Sequence, residues 1–242
     1  MPARLVTVVA PAGFGKTTVI NEWIRTLDPA VTVGWLSLDE RDVDPVRFWS
    51  YLAECVQRMG VSLDDRLVAE LRTNPRSAAA VSESIARQLE RAGGRRVIVL
   101  DDLHRLDGAT VVDAIPGLIE AASTTTFVVI SRNRPPWTAE NARRLEEVLV
   151  LTADELAFTL DETGAMLSGG RDGAVVDARV IEAIHTRTEG WPVLVRLAAE
   201  DSGRGGGLDR LAADVNGANS AIAGYLTQEV LDRMPPQARE IL

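Results

Sequence analysis

Runs of aliphatic and β-branched residues stand at Leu5–Ala10, Val31–Leu38, Val97–Leu100, Phe127–Ile130 and Val148–Leu151, and stretches with helical periodicity separate them. An apolar run that does not alternate is a strand buried on both faces. Strands that alternate with helices are joined by crossovers, so the pattern predicts an α/β fold: a parallel sheet of these five strands flanked by helices. Between the second and third runs, "DPVRFWSYLAECVQRM" sets Trp49, Leu52, Val56 and Met59 on one helical stripe, with Asp44 as cap and Pro45 in the first turn. Cys55 falls in that helix and is expected to be buried. After Leu151 the strand signal stops. "TLDE" at Thr159–Glu162 has the spacing of a capping box, and helical patterns follow at Val180–Thr188, Pro192–Glu200 and Ile222–Met234. Gly203–Gly207 in "SGRGGG" reads as a flexible loop between helices.

Composition removes several classes of function. With 46% hydrophobic residues among 242, the chain can build a substantial core. No window approaches the roughly eighteen uncharged apolar residues of a membrane span, and "MPARLV" enters a strand pattern directly, so no signal peptide, no membrane contact and a cytoplasmic location are expected. Cys55 is the single cysteine and His104 and His185 the two histidines, a poor ligand set for zinc. A net charge of −9 argues against this chain gripping a nucleic-acid backbone over a broad surface.

Chemistry first shows in "VVAPAGFGKTTVINEW", Val8 to Trp23, where a buried strand runs into glycines, a lysine and two threonines before an amphipathic helix. Counting back from Lys16 gives A-P-A-G-F-G-K-T, the phosphate-binding loop pattern with Ala10 in place of the first glycine. Gly13 and Gly15 let the backbone N–H groups of the Ala12–Gly15 segment turn inward around β- and γ-phosphates. Lys16 adds a point charge, the Thr17 hydroxyl can ligate Mg²⁺ with Thr18 beside it, and the helix starting at Lys16 aims its positive end at the same anion. The predicted ligand is therefore a nucleotide with Mg²⁺, which the family resemblance given below implies to be ATP or ADP, and Ala12, Gly13, Phe14, Gly15, Lys16, Thr17 and Thr18 are the candidate binding residues.

Such a loop needs an acid at the end of another buried strand. "RVIVLDDLHRLD" supplies Asp101, which would reach the metal, and Asp102, placed either to orient an attacking water or to cap the following helix. His104 reads as a packed or solvated loop residue. "FVVISRNRPPW" sends Ser131 and Arg132 off the carboxyl edge where ligands of open α/β sheets bind. Arg132 is either a sensor of the γ-phosphate or a surface arginine, since spacing does not aim a guanidinium. Asp39 and Glu40 also follow a strand and are placed either to touch the metal shell or to serve as cap or solvated loop charge, the latter being the reading adopted for them. "TEGWPVLVRL" reads as a turn at Gly190-Trp191-Pro192 in which Pro192 opens a helix and Trp191 is a core residue.

"APAGFGKTT", "GWLSLDERDVDPVRFWSYL", "VIVLDDLHRL", "VVISRNRPPW", "LAFTLDET", "TEGWPVLVRLAA" and "YLTQEVLDRMPPQAREIL", in this order, resemble the ATPase module of MalT-like, LuxR-type transcriptional regulators, within the signal-transduction ATPases with numerous domains (STAND). The resemblance implies the ASCE-type sheet of P-loop ATPases, with an extra strand between the phosphate-loop strand and the acidic strand, which would bring Arg132 close to the phosphates. It implies that Gly190-Trp191-Pro192 is the family's Gly-x-Pro turn, making Pro192 a contact for the adenine. It also implies a switch: bound ADP holds a closed monomer, and inducer plus ATP opens it for self-association and for transcriptional activation through a C-terminal helix-turn-helix. Family members carry a segment before the first strand, where only Met1–Ala3 precede Arg4 here, and continue beyond "PPQAREIL" into further domains. The expected organisation is a P-loop nucleotide-binding domain over 1–152, a helical lid subdomain over 153–216 and the start of a truncated winged-helix domain over 217–242. DNA contact is expected only through a domain outside this excised piece. A weakly hydrolysing regulatory switch is thus the leading expectation; a small-molecule P-loop kinase and a nucleotide-retaining scaffold without turnover are the alternatives.

Overall fold

The apolar runs become β1 (Leu5–Val9), β2 (Thr32–Ser37), β3 (Arg96–Asp101), β4 (Thr125–Ser131) and β5 (Val148–Leu151). They pair in the order β2-β3-β4-β1-β5, every pairing parallel. Leu5 lies opposite Phe127 on one side and Val148 on the other, and Val99 opposite Val128. Strand β4 therefore separates β1 from the acid-ended β3, the order implied by the family resemblance. These three inner strands are buried almost throughout, which is why their sequences run apolar without alternation. The computed structural model describes residues 3–63, 78–135, 137, 148–169 and 176–203.

By its contacts the chain divides into two units, Met1–Pro11 with Lys16–Thr152, and Ala12–Gly15 with Ala153–Leu242. In the first unit the sheet is covered by α1 (Lys16–Arg25), α2 (Pro45–Arg58), α3 (Ala78–Arg91) and α4 (Ile115–Ala121). Helix α2 begins as its sequence dictates: the Asp44 carboxylate accepts from the Val46 amide and Pro45 fills the first turn. Its stripe of Trp49, Leu52 and Val56 is fully buried with Phe48, whose ring meets Trp49 edge-on at 5.1 Å. Cys55, on the flank of that stripe, is only partly buried. Strand β4 starts two residues before its apolar run, because Thr125 and Thr126 pair with Arg96 and Val97 despite their hydroxyls.

Beyond Thr152 the described elements of the second unit are helices: α5 (Ala153–Leu156), α6 (Leu160–Ser168), α7 (Ala178–Thr188) and α8 (Pro192–Gly203). Thr159 and Glu162 close a reciprocal capping box at the start of α6. Leu167, Val176, Ile184, Val195 and Ala198 form a small aliphatic core. Gly203 lies in α8; the rest of the glycine run, the Ile222–Met234 pattern and the segment 217–242 lie outside the described residues. Among the described residues no helix is long and apolar enough to cross a membrane.

Candidate functional site

All strands being parallel, the loops after β1, β2, β3 and β4 leave the same carboxyl edge. In the first unit Lys16 opens α1 with its side chain buried, and its ammonium donates to the Pro11 carbonyl at 2.9 Å, closing the loop on itself. The next residue, Thr17, donates its hydroxyl to Asp101 at 3.2 Å to Oδ2 and 3.4 Å to Oδ1. Thr18, one position on, is exposed. Burial pushes the Asp101 carboxyl above the usual aspartate range and the neighbouring Asp102 charge adds to this; the Thr17 hydroxyl, the Asp102 amide and Lys16 pull the other way. An exposed hydroxyl and a buried carboxylate held together at a strand end form a hard-oxygen pair suited to Mg²⁺.

Asp102 stands in the left-handed region, φ 61° and ψ 37°, and its side chain caps nothing in the short 3₁₀ turn that follows. The capping alternative therefore has no counterpart in the geometry. The carboxylate is half exposed, with Oδ1 3.8 Å from His104 Nδ1. His104 is packed, and its buried Nδ1 has no hydrogen-bond partner. Burial lowers the imidazole pKa, helped by the charges of Arg132, Arg105 and Lys16 and opposed by Asp102, so the ring is neutral at pH 7 and the 3.8 Å approach is not an ion pair. Arg132 follows the last residue of β4 and is half-buried, close enough to His104 for its charge to act there. The Asp39 side chain caps a 3₁₀ turn at Glu40–Val43, and Glu40 pairs with Arg105 at 3.2 Å, so capping and surface pairing account for both acids. Asp42, which the sequence did not single out, is the buried member of that turn: it accepts from Arg47 Nε at 2.7 Å and from the Asp39 amide at 2.8 Å.

The loop residues Ala12–Gly15 make their contacts within the second unit. Gly13 and Gly15 both have positive φ, 77° and 73°, a conformation open to glycine at little cost. The Trp191 indole N–H donates to the Ala12 carbonyl at 3.1 Å, and the Val193 amide donates to the Gly13 carbonyl at 3.1 Å. The Phe14 and Trp191 rings stack at 5.4 Å and 21°. Trp191 is thus not a core residue. The core beside it is wholly aliphatic, whereas an indole needs a partner for its N–H, and the loop carbonyl provides one. The turn carrying it is fixed by Gly190, at φ 69°, whose carbonyl accepts from the Phe158 amide at 2.8 Å. Pro192 opens α8 and is half-buried. Sequence reasoning missed the Phe14–Trp191 contact, for which the available signal was an aromatic in each of two glycine-bearing turns.

Residues 1–131 match the family described as AAA ATPase domain. Over 242 aligned residues the chain is 29% identical to the serine/threonine-protein kinase PknK of Mycobacterium tuberculosis, covering 99% of this chain and 22% of that protein. Over 247 it is 29% identical to the HTH-type transcriptional regulator MalT of Klebsiella pneumoniae, covering 99% of this chain and 26% of that one. The chain thus spans about a quarter or less of the length of these curated relatives. A solved structure of a STAND protein with a tetratricopeptide repeat sensor from Pyrococcus horikoshii superposes with a TM-score of 0.58 at 16% identity, over 82% of this chain and 28% of that one. The similarity to MalT read from the motifs therefore extends along 99% of the chain, and the STAND structure shares its fold over 82%.

Proposed function

The chain belongs to the AAA ATPase domain family, and from that premise we propose that it binds ATP and ADP with Mg²⁺ and serves as a slowly hydrolysing switch module of a signal-responsive transcriptional regulator. The observation that carries this reading is the Thr17–Asp101 hydrogen bond beside Lys16 at the start of α1. It joins the end of the phosphate loop to the acidic strand, as a magnesium–nucleotide site requires.

In this reading the backbone amides of Ala12–Gly15 and Lys16 cradle the phosphates, with Thr18 completing the first helical turn. Thr17 and Asp101 would hold Mg²⁺, which would supply charge neutralisation at the phosphate oxygens. Asp102, held in a strained conformation and half exposed, orients the attacking water and accepts its proton. Arg132 meets the charge that develops on the γ-phosphoryl oxygens. Pro192 packs against the adenine; that role rests on the family resemblance. Residues 1–152 form the nucleotide-binding domain, 153–216 a helical lid subdomain whose position reports the bound nucleotide, and 217–242 the start of a winged-helix domain. The longer protein works in the cytoplasm, self-associates when activated and reaches DNA through a C-terminal domain outside this chain. The relatives named a transcriptional regulator and a STAND ATPase support this class of role.

Two measurements on the purified chain test it. The nucleotide released on denaturation is identified, and phosphate release from ATP with Mg²⁺ is followed with and without hydroxyl-bearing acceptors. A switch releases phosphate slowly and independently of acceptor. Acceptor-dependent transfer makes the chain a kinase, and bound ADP with no turnover makes it a scaffold.

A further inference from the structure

The contacts of the loop with the Gly190-Trp191-Pro192 turn fix more than its position. Among the described residues every peptide bond is trans, and in a trans peptide the C=O of one residue and the N–H of the next point in opposite directions. Trp191 Nε1 holds the Ala12 carbonyl, so the Gly13 N–H is directed away from Trp191. The Val193 amide holds the Gly13 carbonyl, so the Phe14 N–H is directed away from the start of α8. Two consecutive amides are thereby turned to the side opposite the helix, the arrangement by which successive N–H groups build an anion-binding concavity. Stacking of the Phe14 ring on the Trp191 indole engages the one bulky side chain of Ala12–Gly15 with the turn.

The holder is itself rigid. The Gly190 carbonyl accepts from the Phe158 amide at 2.8 Å, and the Trp191 amide donates to the Thr188 carbonyl at 2.9 Å. A Cβ on Gly190 would lie 2.3 Å from the Phe158 carbonyl oxygen, which leaves the turn no side-chain variation. Val193 is in the first turn of α8, where amides have no partner within the helix, and Pro192 before it contributes no N–H. The first amide that α8 offers is therefore spent on the loop.

We propose that Trp191, together with the Val193 amide, is the positioning device of the phosphate-binding loop: it holds the Ala12 and Gly13 carbonyls outward and so presents the Gly13 and Phe14 amides to the phosphates of a nucleotide. The inference rests on the nucleotide-binding reading for its ligand and on loop geometry alone for its mechanism. It makes the second unit a determinant of phosphate affinity through main-chain orientation, with no side chain of α8 required to touch the phosphates.

The test uses the 242-residue chain and its W191F and W191A variants. Exchange of the Val193 amide, which donates to the Gly13 carbonyl, is measured without nucleotide against the other amides of α6 to α8, and ADP affinity by calorimetry. W191F keeps a ring to stack on Phe14 and removes only the indole donor. It should speed exchange selectively at the Val193 amide, which the Gly13 carbonyl holds, and weaken ADP binding about fivefold, the effect of losing one ordinary hydrogen bond; W191A should do more of both. Parental exchange in W191F overturns the proposal, as does parental ADP affinity despite faster exchange. Acceleration spread evenly over α6 to α8 makes Trp191 a packing residue and overturns it too. If the parent chain binds no ADP, the nucleotide reading falls, while selective exchange of the Val193 amide in W191F still decides whether Trp191 sets the loop.

Discussion

Gly190→Ala is the perturbation whose magnitude the structure constrains most tightly. Gly190 has φ 69°, and a Cβ there would stand 2.3 Å from the Phe158 carbonyl oxygen, 3.1 Å from its nitrogen and 3.2 Å from its carbonyl carbon. The left-handed conformation costs an alanine about 1 kcal/mol. The overlap is with backbone, so no side chain can swing aside; relieving it costs about 1–3 kcal/mol. The movement also stretches the Phe158 N–H bond to the Gly190 carbonyl, worth about 1 kcal/mol. Together these give about 3–5 kcal/mol, a large share of a typical domain's stability. Gly60 supplies the control, since its φ is 80° and nothing lies within 4 Å of its Cβ position, so Gly60→Ala should lose only the conformational part, about 1 kcal/mol. Urea denaturation followed by far-UV circular dichroism measures both. A Gly190→Ala loss within about 1 kcal/mol of the Gly60→Ala loss would refute the close packing of the turn on Phe158.

Asp102→Asn should leave magnesium–nucleotide binding intact and slow phosphate release, whereas Asp101→Asn should weaken the Mg²⁺ dependence of binding itself; parental hydrolysis in both variants removes the paired-acid mechanism. Pro192→Ala should reduce the thermal shift produced by ADP while leaving the nucleotide-free melting temperature unchanged, and the converse result returns Pro192 to a purely structural part at the start of α8. Two groups near the strand ends give stability opposing pH dependences. The His104 pKa is lowered in the fold, so its contribution is present above the unfolded histidine value of about 6.5 and is lost as pH falls through the lower folded value. The Asp101 pKa is raised, so its contribution is present below the unfolded aspartate value of about 3.9 and is lost as pH rises through the higher folded value. Denaturation of nucleotide-free His104→Gln should therefore lack part of the parental loss of stability on mild acidification, and Asp101→Asn part of the loss on raising pH from acid; unchanged profiles contradict the burial assigned to each.

The parts of the fold legible in the sequence are those where burial on both faces leaves one kind of residue possible. Strands β1, β3 and β4 sit inside the sheet and run apolar, while Thr125 and Thr126 escaped notice because the ladder uses their backbone and not their side chains. The meeting of Thr17 with Asp101 next to Lys16 was legible for a similar reason: a glycine loop between strand and helix, and an acid closing a second strand, are local patterns whose meeting follows from parallel topology. What local pattern does not carry is a contact between distant turns. Trp191 reads as core when its neighbours in sequence are apolar, and nothing short of the packing reveals that its N–H is satisfied by a carbonyl of the phosphate loop. Asp102 in a left-handed conformation and Asp42 buried against Arg47 are likewise set by tertiary context.

The claim on which the account stands is that the loop from Ala10 to Thr17 binds a nucleotide by its phosphates. Calorimetric titration of the parent chain and of Lys16→Ala with ADP and ATP, each with and without Mg²⁺, tests it most directly. Lys16 is the cation at the loop's end and is held in place by the Pro11 carbonyl. Its removal should lower nucleotide affinity by more than about tenfold, or roughly 1.4 kcal/mol, against magnesium-dependent binding in the parent. Equal affinity of parent and variant for both nucleotides, or no binding by the parent, would contradict the account.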